Sequence, residues 1–414
     1  MRGLPNDMRW KRICGVLLGM AILTYGYQEA TANWEIVSTT FTKGDKPYGG
    51  GSFVIHGDQA ISLKIVGPEI SFKPASEAAN PDVAEPTQPW MADSGQRMNR
   101  WTVNFLRGPI DGSMSRVFSE PGQTGAWWYS HDWNTLYIST GWMDYTSPIP
   151  PDGLTPQVTR LWRSQDGGKN WTQLGWPATA DIGRLLFLDP MRGYALGWGP
   201  HVWRTTDGGE SWHEIQMPPL AGRGRPRGVF DGINLSRDGV LRVAYYVYEL
   251  PDVKASSVVY RLGWDQEQFE REVVLPNQTI VSMDSAPDGA NRYAIYALSH
   301  AGVPEDQNAG AGTPKEPGLI STWTNGEPAT LRQLRTFDPR FHLDSMTIGV
   351  RGVVMVYATD ASGSGAPRDY SLYSMDAGRS WRQLDDGPTQ GGYFDPDTST
   401  LYSLSAYTLK KRKM

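Results

Sequence analysis

Apolar residues along this chain fall into runs of four to eight, broken by polar, glycine-rich stretches. Outside the N-terminal 32 positions no run keeps a helical period of 3.6. The clearest unit lies between residues 182 and 215. Ile182 to Asp189 reads as an apolar strand, Asp189-Pro190-Met191-Arg192-Gly193 as a turn, and Tyr194 to Gly197 as a second strand. His201 to Arg204 makes a third and Trp212-His213-Glu214-Ile215 a fourth. The stretch 340–384 repeats the plan, with strands at Met346 to Val350, Val353 to Ala358, Tyr370 to Ser374 and Trp381 to Leu384. The pattern predicts an all-β protein made of four-stranded antiparallel units.

The third and fourth strands of a unit are joined by an octad. It reads Ser164-Gln165-Asp166-Gly167-Gly168-Lys169-Asn170-Trp171, then Thr205-Thr206-Asp207-Gly208-Gly209-Glu210-Ser211-Trp212, then Ser374-Met375-Asp376-Ala377-Gly378-Arg379-Ser380-Trp381. The shared pattern is Ser/Thr-x-Asp-x-Gly-x-x-Trp. Asp166 and Asp207 are 41 positions apart (207 − 166), and Asp376 follows after 169 (376 − 207), about four such steps. A period of this size marks repeated supersecondary units. Asp accepts backbone N–H bonds and closes a turn, the hydroxyl two residues earlier adds a second local bond, and glycine supplies positive φ.

The octad resembles the Asp-box, or bacterial neuraminidase repeat, of sialidases and other β-propellers. That resemblance implies a propeller in which Ser164, Asp166, Gly168 and Trp171, Thr205, Asp207, Gly209 and Trp212, and Ser374, Asp376, Gly378 and Trp381 are structural clamps at the outer edge of a blade. Weaker copies lead to fourth strands near Phe269 and Leu331, and Asp93-Ser94-Gly95 leads to Trp101. Asn33 to Val37 looks like a fourth strand with nothing before it. Residues 392–409 look like three strands with nothing after them. The two ends then complete one blade and close the ring, which removes open edges. Seven blades result; the count is six if the copy at Trp101 is not its own blade.

Residues 1–32 read as a secretory signal: Arg2, Arg9, Lys11 and Arg12, an apolar run from Ile13 to Leu23, and Ala30-Thr31-Ala32 as a cleavage site. The expected domains are therefore the signal at 1–32 and one propeller at 33–414, exported to the periplasm or secreted, with no stable membrane anchor after cleavage. Cys14 is the single cysteine, so the mature chain is expected to hold no disulfide, thiol nucleophile or thiolate metal site. The net charge of −5 argues against nucleic acid as a partner. Gly (46), Trp (17) and Tyr (19) are frequent, as many short strands and turns require. A monomer is expected, and neither a metal nor a cofactor.

No Gly-x-Ser-x-Gly, phosphate-cradling loop or His-Glu-x-x-His motif occurs. The Asp-box resemblance raises a sialidase-like glycoside hydrolase as one reading, but the Arg-Ile-Pro motif of sialidases is missing. Two candidate constellations remain. Arg184, Arg227 and Arg340 each stand at the start of an inferred inner strand, with Arg223 and Arg225 close by, and such arginines suit a bidentate anion site. Trp127, Trp128, Trp133, Trp142 and Tyr145 cluster within one blade, and aromatic faces stack on sugars, anchor interfaces or pack between blades. The expected function is that of an exported binding module for a protein partner or glycan, with a glycoside hydrolase as the alternative.

Overall fold

The computed structural model describes residues 35–38, 51–66, 101–111, 114–122, 125–143, 157–176, 182–197, 201–217, 232–249, 254–288, 292–301, 317–349, 352–360, 368–384, 392–405 and 408–414. The expected signal segment lies outside them. The described residues form 28 strands and no helix.

The chain enters at β1 (Glu35–Ser38). Blade 1 is β2 (Gly51–His56), β3 (Gln59–Val66), β4 (Thr102–Pro109) and β5 (Ser115–Pro121). Blade 2 is β6 (Trp127–Tyr129), β7 (Leu136–Met143), β8 (Gln157–Ser164) and β9 (Thr172–Leu174). Blade 3 is β10 (Ile182–Phe187), β11 (Gly193–Gly197), β12 (His201–Thr205) and β13 (His213–Gln216). Blade 4 is β14 (Ile233–Leu235), β15 (Leu241–Glu249), β16 (Lys254–Leu262) and β17 (Glu270–Pro276). Blade 5 is β18 (Gln278–Pro287), β19 (Tyr293–Ala301), β20 (Gly318–Thr324) and β21 (Glu327–Thr336). Blade 6 is β22 (Phe341–Ile348), β23 (Val354–Asp360), β24 (Arg368–Ser374) and β25 (Arg382–Leu384). Blade 7 is β26 (Gly392–Asp395), β27 (Thr400–Ser405) and β28 (Thr408–Lys413), with β1 as its outer strand. Ile36 pairs with Lys410 and Glu35 with Lys411, so the two ends of the chain close a seven-bladed propeller.

The burial pattern explains the sequence signal. Middle strands are covered on both faces: β11 and β20 are buried throughout, and they read as unbroken apolar runs. Outer strands alternate or face solvent, as β13 and β21 do. The core is divided among the gaps between blades. One cluster joins Phe105 and Val103 of blade 1 to Leu136 and Ile138 of blade 2. Another joins Tyr137 and Leu161 to Phe187 and Leu185 of blade 3, and the series continues through each interface. It ends with Phe394 and Leu401 against Met355 of blade 6, and Tyr402 and Leu409 against Phe53 of blade 1.

One expectation is corrected. Trp101 does not open a fourth strand; it precedes β4, the third strand of blade 1, and the fourth is β5. The count of seven stands, because blade 1 is complete without an octad. Its third and fourth strands meet through Phe105 paired with Phe118 instead.

The octads lie between third and fourth strands in blades 2, 3 and 6. In each the buried hydroxyl accepts from a glycine N–H: Gly168 N to Ser164 Oγ, Gly209 N to Thr205 Oγ1 and Gly378 N to Ser374 Oγ, all at 2.8 Å. The same hydroxyl donates to the Asp carboxylate, at 2.9 Å for Asp166 and 2.8 Å for Asp207 and Asp376. The carboxylate also accepts from Asn170 N, Ser211 N or Ser380 N. Gly167, Gly168, Gly208, Gly209 and Gly378 all adopt positive φ, between 71 and 92°.

Candidate functional site

The first strand of every blade lies innermost and runs in the same sense, so the propeller has two unlike mouths. At one, the inner strands begin; the ends joined by residues 67–100, 144–156, 218–231 and 302–316 lie there. At the other, the inner strands end in short turns. That second mouth holds a cavity of about 440 Å³.

Four blades build it. His56 closes β2, Tyr129 closes β6, Ser345 and Thr347 come from β22, and Tyr393 and Asp395 from β26. The wall from blade 2 is a turn fixed by local bonds. Ser130 Oγ donates to Asp132 Oδ1 at 2.5 Å and accepts from Thr135 N at 2.9 Å, while Trp133 N donates to Ser130 O at 2.8 Å. Trp133 adopts φ +56°, a strained conformation for a tryptophan, and is only 4% exposed. Arg107 of blade 1 holds it: Nη1 donates to Trp133 O at 3.3 Å and to Gly167 O at 2.7 Å. The His56 ring meets His131 at 5.1 Å and Trp133 at 5.9 Å.

Blade 7 supplies the opposing wall. Asp395 is buried and caps its own turn, accepting from Asp397 N at 3.0 Å and Thr398 Oγ1 at 2.5 Å. Asp397 is half exposed, 3.6 Å from Nη2 of Arg237, which reaches over from blade 4. Burial raises the Tyr129 and Tyr393 phenols above the ordinary range, and the charges of Asp395 and Asp397 push the same way. Both therefore stay neutral at physiological pH. Tyr357 also lines the cavity; its hydroxyl is buried without a hydrogen-bond partner.

A further carboxyl sits on the inner ring. Asp284 of β18 accepts from Ile348 N of β22 and from its neighbour Ser285 N, both at 2.7 Å. Inner strands do not pair with one another, so side chains must satisfy their inward N–H groups; Ser282 Oγ does the same for Met346 N at 3.2 Å. Burial raises Asp284 to about 6, against the pull of these donors and of Arg237.

The arginine candidates fall elsewhere. Arg184 is exposed on β10, four residues before the turn that Leu188 opens. Arg340 precedes β22, nine residues before the equivalent Gly349. The two are thus five register positions apart along their inner strands. Arg340 lies 3.9 Å from Asp338 and 4.0 Å from Asp360, and over the Phe341 ring. Arg223, Arg225 and Arg227 lie outside the described residues, as does Tyr145. The aromatic group is distributed. Trp127 packs on Phe105 of blade 1, at 5.6 Å, and Trp128 on Phe187 of blade 3, at 5.0 Å. Trp142 lies under Arg160 near the end of β7, and Trp133 lines the cavity. Sequence reasoning missed His56, Tyr357, Tyr393, Asp395 and Asp397, whose positions carry no local motif.

No family model matches the chain, and no curated protein does. Among solved structures it is similar to YCF48 bound to D1 peptide, at 13% identity and TM-score 0.48, over 76% of this chain and 88% of that one. It is similar to YCF48 from Cyanidioschyzon merolae at 11% identity and TM-score 0.42, over 77% and 93%. A PL25 ulvan lyase bound to a glucuronate-containing saccharide gives 9% and 0.47, over 92% and 95%. The propeller assignment itself rests on the seven sheets described above.

Proposed function

We propose that this chain is an Asp-box propeller of the sialidase-like superfamily that is exported and acts as a binding module for a protein partner or glycan. The bond pattern repeated in three octads supports the Asp-box reading. The observation that carries the binding reading is the cavity where the inner strands end. Its walls are phenol, indole and imidazole rings with serine and threonine hydroxyls. Its two carboxylates belong to one turn, and Asp395 is engaged in capping that turn. They do not face each other across a cleft as hydrolysis by a carboxylate pair requires. The test is calorimetric titration of the full chain with a panel of peptides and oligosaccharides, alongside Ser345→Trp, which fills the cavity. Binding lost in that variant at unchanged melting temperature is the expected result; binding untouched by it refutes the mouth as the site.

A second reading, glycoside hydrolysis, is favoured by one observation: Asp284 is raised to about 6, as a general acid would be. It predicts turnover of aryl glycosides that Asp284→Asn abolishes. A full panel of such substrates left uncleaved by the wild-type chain would remove it.

A further inference from the structure

We infer that the mouth cavity is a cation site, which receives a lysine or arginine side chain presented by a protein partner. This rests on the proposal that the mouth is where ligands bind, and it narrows the ligand class.

Three observations point the same way. The first is the wall. Tyr129, Tyr357, Tyr393 and Trp133 line one cavity, and phenol and indole rings attract cations through their faces. The second is the charge at the rim. Asp395 and Asp397 stand beside those rings, and their field is felt at the Tyr129 and Tyr393 hydroxyls. Asp132, in the turn that carries Trp133, is held ionised by bonds from Ser130 and Asn134. Against these carboxylates stands Arg237, which is 74% exposed and not within hydrogen-bond range of Asp397. This guanidinium comes from blade 4 and rests beside a carboxylate of blade 7 without a hydrogen bond to it. The third is Tyr357, whose side chain lines the cavity while its hydroxyl is buried without a hydrogen-bond partner. An incoming ammonium or guanidinium would find ring faces and an incompletely paired carboxylate together.

The occupant is a peptide side chain because the cavity holds about 440 Å³ and its exposed carboxylate is Asp397. An apolar stem can lie along the rings while its charged head meets Asp397. An extended sugar would need polar groups spread along the walls instead.

The experiment uses the full chain and a nonapeptide with one central lysine among glycines and serines. Its norleucine counterpart, a deacetylated chito-oligosaccharide and an oligogalacturonate serve as the other arms. The lysine peptide should bind, and the norleucine peptide should bind at least about tenfold more weakly, the usual effect of losing a bond to a charged group. Asp397→Asn should weaken the lysine peptide by a similar factor. Arg237→Gln should strengthen it, because it removes the competing internal cation. Arg237 is largely solvated and Asp397 half exposed, so unchanged thermal melts are expected of both variants. Equal binding of lysine and norleucine peptides overturns the inference. So does a loss of affinity in Arg237→Gln, binding of the oligogalacturonate in place of the peptide, or binding of the amino sugar alone. A neutral oligosaccharide that binds and is blocked by Ser345→Trp would keep the mouth as the binding site and still sink the cation assignment.

Discussion

The buried pair Arg242–Glu272 in blade 4 offers the sharpest test of how the ring is held. Arg242 Nε donates to Glu272 Oε2 at 2.8 Å, and the two side chains are 0% and 1% exposed. The cluster crosses to blade 5. Arg242 Nη2 donates to Asn325 Oδ1, and Gly326 N donates to Glu272 Oε1 at 3.1 Å. Arg242 Nη1 also reaches Ser236 Oγ at 3.1 Å, and Asn325 Nδ2 donates to Asp238 Oδ2 at 3.0 Å. Glu272→Ala leaves a guanidinium buried without its counter-charge, which costs about 3–5 kcal/mol. The orphaned Gly326 N–H adds about 1 kcal/mol. Taking about 5 kcal/mol, and an unfolding entropy of about 2.1 cal/mol/K for each of 414 residues, the melting temperature should fall by about 6 °C.

Two further variants separate charge from packing. Glu272→Gln keeps an acceptor for Gly326 but loses the charge, so it should lie between wild type and alanine. The double change Arg242→Leu with Glu272→Leu removes both charges and their desolvation, so it should cost less than Glu272→Ala alone. Urea unfolding followed by tryptophan fluorescence reads these values, and the single changes Arg242→Leu and Glu272→Leu close the double-mutant cycle. If Glu272→Ala costs under about 1 kcal/mol, or the double change costs the sum of the singles, the cluster is not a buried clamp and the reasoning fails.

Two other outcomes follow from the structure. Thr205→Val strands the buried Gly209 N–H, so it should lower stability by about 1–3 kcal/mol while leaving affinity at the mouth unchanged; altered affinity in the folded variant would contradict the structural role of the octad. Asp284 is raised in the folded state to about 6 from its ordinary value of 3.8, so its contribution is complete below pH 4 and is lost as pH rises through 6, by up to about 3 kcal/mol. Asp284→Asn should therefore become more stable relative to wild type between pH 4 and 8, and urea midpoints that shift in parallel across that range would show the carboxyl to be unperturbed.

Much of the fold is legible in the sequence because each blade repeats a local grammar. Turn residues, period-two strands and the octad are all read within about 40 positions of each other. The ring closure was legible for the same reason: Asn33 to Val37 looks like a strand lacking three partners, and residues 392–409 like three lacking a fourth. Blade 1 was misread by one strand because its third-to-fourth turn, at Ile110 and Asp111, lacks the octad. The Trp101 that precedes β4 imitates the tryptophan of an octad. Of the mouth only Trp133 was legible, as one of an aromatic cluster. His56, Trp133, Ser345 and Asp397 come from four blades and meet only because all inner strands end on one face. The residues that sequence singled out as anion ligands are the arginines at inner-strand starts, whereas the described bonds show arginine used chiefly elsewhere.

That use changes what the octad is. Arg107 near the end of β4, Arg163 on β8 and Arg204 on β12 each hold a turn of the next blade. Arg107 Nη1 donates to Gly167 O at 2.7 Å, Arg163 Nη1 to Gly208 O at 2.9 Å, and Arg204 Nη1 to Trp264 O at 2.7 Å and Gln266 O at 2.8 Å. The physical cause lies in the turn. Gly167 O and Gly208 O take these donors from outside the octad, whereas Gly168 O and Gly378 O, also at positive φ, accept from the tryptophan of their own octad at 3.0 and 2.9 Å. A guanidinium from the preceding blade supplies one, and Tyr137 adds a second to Gly208 O at 2.9 Å. The glycines that shape the turn of one blade thus create the acceptors that anchor its neighbour. In blade 6 the octad begins after Tyr373 and not an arginine, while Arg204 reaches a turn in blade 4 that has no octad. The arginine staple and the octad are therefore separable devices. A propeller of this kind can lose one at a given interface and keep the other, provided the carbonyls left by the turn still find a donor or face water.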